Sequence, residues 1–137
     1  MNTTSTKTTF GKILLYSLIA GATAAVINSI LFFIGKAMGA FPETLLIPNQ
    51  GQPFTVLPFI FSSILPSLVA GLVMGIINHF SKSPKKIFNI IAIVLVVLSF
   101  YSPFTVPGIS MMAIIFFNMM HLVVAASLMF FYKKIIK

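Results

Sequence analysis

Residues 10–34 read FGKILLYSLIAGATAAVINSILFFI. Lys12 is the one charge, and from Ile13 to Ile34 every residue is apolar, small or uncharged, a run of 22 residues. A helix of that length rises about 33 Å at roughly 1.5 Å per residue, enough to cross a hydrocarbon core of about 30 Å. A signal peptide would show Lys7 and Lys12 ahead of an apolar run and small residues such as Ala22–Ala25 behind it. Its apolar region, however, is roughly 7–15 residues long, and here the run continues through ILFFI. The segment is expected to remain as a membrane span.

The rest of the chain repeats this design. Apolar runs at 59–80, 87–101 and 111–132 give three further spans. Residues 1–9 are Thr-rich and polar and are expected to form a short disordered tail. Residues 35–58 form the longest loop and hold four of the eight prolines, which excludes one continuous helix. The FPETLLIP part of that loop is apolar enough to lie on the membrane surface or dip into it. Pro66 falls inside the second span, where it removes a backbone donor, and Ser62 and Ser63 are placed to satisfy the freed carbonyl. SKSPKK (81–86) and SPFTVPGIS (102–110) are turns.

Composition agrees. The chain has 137 residues, 58% hydrophobic and only 7% charged, against about 25% charged in a soluble domain. The net charge of +8 comes from nine lysines against one acid, with no Arg. Lys7, Lys12, Lys82, Lys85, Lys86, Lys133, Lys134 and Lys137 fall on one side of a four-span arrangement. Lys36 falls on the other, with Glu43. By the positive-inside rule both termini are cytoplasmic and loops 35–58 and 102–110 face outward. The expected fold is all-α, a four-transmembrane-helix antiparallel bundle in one domain. The lysines flank apolar spans rather than forming a soluble basic face, so no nucleic-acid partner is expected. High Lys, Ile, Asn and Phe usage points to a bacterium with an AT-rich genome, and so to the bacterial inner (cytoplasmic) membrane.

Small residues mark the packing faces. Ser17, Gly21, Ala25 and Ser29 recur every fourth residue in span one, and Ser67, Gly71 and Gly75 do so in span two. Each series draws a smooth stripe along one helix face, where backbones can approach. The two faces are expected to meet each other or a second protomer. Residues 17–28 and 67–78 also share six identities in twelve positions. Convergence on a common packing pattern weighs more than duplication of a helix.

Polar residues inside a span are costly unless paired, so each is a functional candidate. Asn28 lies on the small-residue face. Asn118 sits at similar depth in span four, with His121 one turn further toward the bilayer centre. Asn28, Asn118 and His121 are expected to form one polar cluster in the outer half of the bundle, with Glu43 as a possible cap. A hydrogen-bonded clamp between helices would use the same residues. Asn78, His79 and Asn89 lie at the lysine end, where helix capping and interfacial solvation account for them.

Several chemistries are excluded or disfavoured. There is no Cys, hence no disulfide, thiolate nucleophile or cysteine-held metal. His79 and His121 lie at different depths, so one chain does not offer a bis-histidine haem site. Two His and one Glu at three depths do not make a metal site. Catalytic carboxylate pairs, phosphate loops and nucleophile elbows are lacking. No cofactor, metal or enzymatic activity is expected.

The Ala/Gly run ending in Asn28, the stretch from Pro66 to Gly75, and NMMH at 118–121 resemble an uncharacterised family of small bacterial four-helix membrane proteins. That resemblance covers nearly the whole chain and implies a fold and a membrane location, with no activity to carry over. Small multidrug resistance transporters share the length and the four-span plan but depend on a Glu in span one, which this chain lacks. Two functions stay open. One is a homo-oligomeric transporter or channel for a small polar solute or ion, running through the Asn/His-lined interior. The other is a non-catalytic membrane subunit that binds a lipid or a protein partner.

Overall fold

Four helices account for most of the residues described, 7–136, in a computed structural model of the chain. They are α1 (Phe10–Ala37), α2 (Val56–Phe80), α3 (Pro84–Ser99) and α4 (Met111–Ile135). A 3-10 turn, Ser102–Thr105, follows α3. In hydrocarbon a backbone must satisfy its own polar groups, which leaves the helix as the form these apolar runs adopt. All four stretches are long and apolar enough to cross a membrane. The fold class is the all-helical, four-span plan that the sequence predicts.

The helix bounds differ from the sequence reading in ways that physical chemistry explains. Helix α3 starts at Pro84 rather than near residue 87, because the first helical turn needs no N–H donor there. It ends at Ser99, about 24 Å on, short of a bilayer core. The 3-10 turn carries the stretch on to Thr105, which makes 22 residues in all. Ser110 caps α4 by accepting the Ala113 N–H at 3.1 Å. The tail expected at 1–9 lies outside the described residues as far as residue 6. Beyond that, the Lys7 ammonium donates to the His79 carbonyl and the Thr8 hydroxyl to the Ile135 carbonyl. The Asn78 amide donates to the Thr8 carbonyl at 2.9 Å. Asn78 therefore ties the entry of α1 to the end of α2 rather than capping its own helix.

The packing of α1 on α2 is reciprocal. A side chain at Gly71 would meet Ser17, and one at Gly21 would meet Ser67 at 2.9 Å and the Ile64 backbone at 3.1 Å. Each serine thus fills the notch left by the other helix's glycine. Rising numbers in α1 meet falling numbers in α2, so the pair is antiparallel. The two small-residue stripes meet each other within the chain, and Gly75 receives the Phe10 ring. This mutual fit requires the same Ser-x-x-x-Gly spacing in both helices, which gives their likeness a packing reason.

Helix α4 covers the other side of α1. Tyr132, buried, shares a hydrogen bond with Ser17, whose hydroxyl also lies 2.8 Å from the Ile13 carbonyl. Phe88 of α3 packs edge-on against Tyr132. The 38–55 connection folds back over the opposite end of the bundle. Its Ala40, Phe41 and Leu45 are buried there. Phe41 joins Phe32, Phe59, Phe116 and Phe117 in one aromatic cluster. Asn49 and Gly51 take left-handed backbone angles in the turn that closes this loop, with Ile47 N–H bonded to the Gln52 carbonyl at 2.8 Å.

Candidate functional site

Helix α3 is the least buried of the four spans. Its buried residues are Pro84, Phe88 and Ala92, and none follows Ala92 before the helix ends. Past Ala92 it stands away from α2, and a cavity of about 910 Å³ opens between α2, α3 and α4. Leu65 and Val69 of α2 and Leu95 of α3 line it and are each more than half exposed. Its mouth therefore faces sideways, where a bilayer's acyl chains would lie. That volume is within the range of roughly 300–1,000 Å³ common for ligand cavities.

The wall is amphipathic along its depth. Toward the lysine end it is apolar, with Phe88, Ile91, Ala92 and Leu128. Toward the loop end it carries Ser62, Ser99, Ser102 and Thr105. Asn28 and His121 also line it, and among the described residues no Lys or Glu does.

Asn28, on α1, is the most constrained of these. Its Nδ2 donates to Ser63 Oγ at 2.9 Å and to the Met120 carbonyl at 3.3 Å. A carbonyl accepts only, so the atom facing Met120 must be the NH₂ group. The side chain therefore links α1, α2 and α4, and meets α4 between Asn118 and His121. Its Oδ1 is buried without a hydrogen-bond partner among the described residues, as are Asn118 Oδ1 and His121 Nδ1. Leaving one such atom unpaired costs about 1–3 kcal/mol, so three of them in one short chain call for a physical reason.

The four residues grouped from the sequence separate into three environments. Asn28 and His121 share the cavity wall. Asn118 is half-buried and does not line it, and no hydrogen bond joins any two of the three. Glu43 caps nothing: it is exposed and paired with Lys36 at 2.9 Å on the loop. The loop bulges outward at residues 42–44, between the buried Phe41 and Leu45, and an acid is better solvated there than beside an apolar cavity.

Ser62 and Ser63 correct a second expectation. Pro66 deprives the Ser62 carbonyl of its partner. Both hydroxyls instead donate back to the Phe59 carbonyl, at 3.2 and 2.7 Å. Ser63 Oγ is then free to accept from Asn28, and Ser62 faces the cavity. Ser99, Ser102 and Thr105 are site residues the sequence did not single out, and Ser62 was read there only as a partner for the carbonyl freed by Pro66. The signal available was the weak inward face of α3, whose second half offers branched aliphatics and no small-residue stripe.

Fold and site together define a small multi-pass membrane protein with an apolar cavity entered from the side. The chain belongs to the family of unknown function DUF6069, whose profile matches residues 8–135. No curated protein and no solved structure matches it.

Proposed function

We propose that this protein is a non-enzymatic membrane protein that takes a lipophilic molecule from the bilayer into the cavity between α2, α3 and α4. The observation that carries this reading is an apolar, laterally open cavity whose polar lining, Ser62, Ser99, Ser102 and Thr105, is gathered toward one end. An apolar occupant gains about 25 cal/mol per Å² of surface removed from water, or the equivalent packing contacts when it comes from lipid. A polar group on it would find partners in the wall hydroxyls of Ser62, Ser99, Ser102 and Thr105.

A pore for a polar solute or ion draws less support. Its wall would need a continuous polar path, and this wall is apolar for half its length. Self-association through the small-residue stripes also draws no support, because those stripes are consumed between α1 and α2. Lipid is the partner this reading requires, in a bacterial cytoplasmic membrane with the lysine-rich end inside. That sidedness rests on the positive-inside rule.

Native mass spectrometry of the purified protein tests the reading. The wild type should retain a lipophile at one per chain after exchange into detergent. Ala125→Phe, which fills the α4 wall of the cavity, should not. Equal retention by both proteins would overturn it.

A further inference from the structure

The lining also constrains the head group of the occupant. We propose that the cavity holds an uncharged lipid alcohol, a long-chain alcohol or glycerol monoester, with its hydroxyl end toward Ser99 and Asn28 and its chain toward Phe88. This rests on the cavity being a lipophile site.

Charge is the first constraint. Among the described residues no Lys or Glu lines the cavity. A phosphate, carboxylate or ammonium head would enter without a counter-charge, in a place where desolvating it is costly. The head is therefore neutral.

Hydrogen-bond polarity is the second. The Asn28 NH₂ is committed to Ser63 and Met120, and its Oδ1 is buried, so Asn28 offers the occupant no free donor. Three of the four lining hydroxyls have committed protons too, and the Ser102 hydroxyl keeps its own. Ser62 donates to the Phe59 carbonyl, Ser99 to Val96, and Thr105 to Ser102, the last two at 2.7 Å. Each then presents lone pairs to the cavity. A neutral imidazole at His121 adds one donor and one acceptor. A wall that sets three acceptor-only hydroxyls beside two groups able to donate, Ser102 and His121, suits a head that both donates and accepts. An ester or ketone only accepts, and would give the three committed hydroxyls no donor.

Depth supplies the orientation. The acceptor-bearing hydroxyls gather at the loop end, while the Phe88 end has no polar side chain. A hydroxyl head with one or two O–H groups matches the first, and a hydrocarbon chain the second.

Photo-crosslinking tests this on the full chain in phosphatidylcholine nanodiscs. Three diazirine probes of equal chain length are compared: a primary alcohol, its carboxylic acid and its methyl ester. Crosslinks are mapped by peptide mass spectrometry. The alcohol should label α2 and α3 peptides saturably and exceed the other two by about fivefold, the value of one net hydrogen bond. Leu95→Trp, at the exposed mouth where folding is not at risk, should abolish the saturable labelling. Equal saturable labelling by all three probes, still blocked by Leu95→Trp, would overturn the head-group assignment and leave the cavity reading standing. No saturable labelling by any probe would overturn both.

Discussion

Ser17 of α1 occupies the space that a side chain at Gly71 of α2 would need, while its hydroxyl is bonded to Tyr132 of α4. One serine therefore fixes the spacing of three helices. A methyl at Gly71 would stand 2.9 Å from Ser17 Cβ, and Ser17 cannot turn aside without breaking its bonds to Ile13 and Tyr132. Gly71→Ala should destabilise the protein by about 1–3 kcal/mol, the usual cost of overpacking. Gly75→Ala meets only the ring of Phe10, which is half exposed and can swing away. Thermal unfolding in detergent should rank Gly71→Ala well below Gly75→Ala. The reverse order would place the α1–α2 contact elsewhere.

Asn28 holds the same three helices nearer the loop end. Asn28→Leu removes the bonds to Ser63 and Met120. At roughly 0.6–2 kcal/mol per interhelical contact, the unfolding temperature should fall by several degrees. Asn28→Asp keeps the shape but cannot donate to the Met120 carbonyl, and it places a charge in a buried site. It should be less stable than Asn28→Leu at neutral pH. The same unfolding assay checks both.

Glu43 gives the contrasting case. Its carboxylate and the Lys36 ammonium are 72% and 47% exposed. Such pairs contribute little. Glu43→Gln should shift stability by less than about 0.5 kcal/mol and leave lipophile retention unchanged. A large loss on either measure would return Glu43 to the site.

The sequence was most informative where one physical rule dominates. Four apolar runs of spanning length leave the helix as the backbone's option, so the four spans are legible. The Ser17–Gly21 and Ser67–Gly71 spacings mark the α1–α2 contact because close backbone approach needs small residues. Asn28 was readable as inward-facing because it shares their stripe. Glu43 was not, because its partner Lys36 depends on how the 38–55 segment folds back. Asn118 and His121 share a helix face, yet only His121 lines the cavity, and that distinction rests on where α3 diverges. The divergence itself follows from the lack of tight-packing residues past Ala92, and lipid-facing and cavity-facing aliphatics look alike in sequence.

Orientation in the membrane is open to direct labelling, because the chain has no Cys. Single-cysteine variants Gln50→Cys and Ser83→Cys sit on the two opposite connections. In intact cells a membrane-impermeant maleimide should label Gln50→Cys, and it should reach Ser83→Cys only after lysis. The opposite pattern would invert the assigned topology and the direction from which a lipid headgroup meets the cavity.

The most direct measurement is an experimental structure in a lipid nanodisc, examined between α2 and α3 at the level of Asn28 and His121. The account predicts α3 standing away from α2 past Ala92, with elongated density along the Phe88–Ser99 wall and its polar end within hydrogen-bond distance of Ser99 Oγ. A bundle in which α3 closes onto α2, or in which a second copy's helix fills that space, would contradict it.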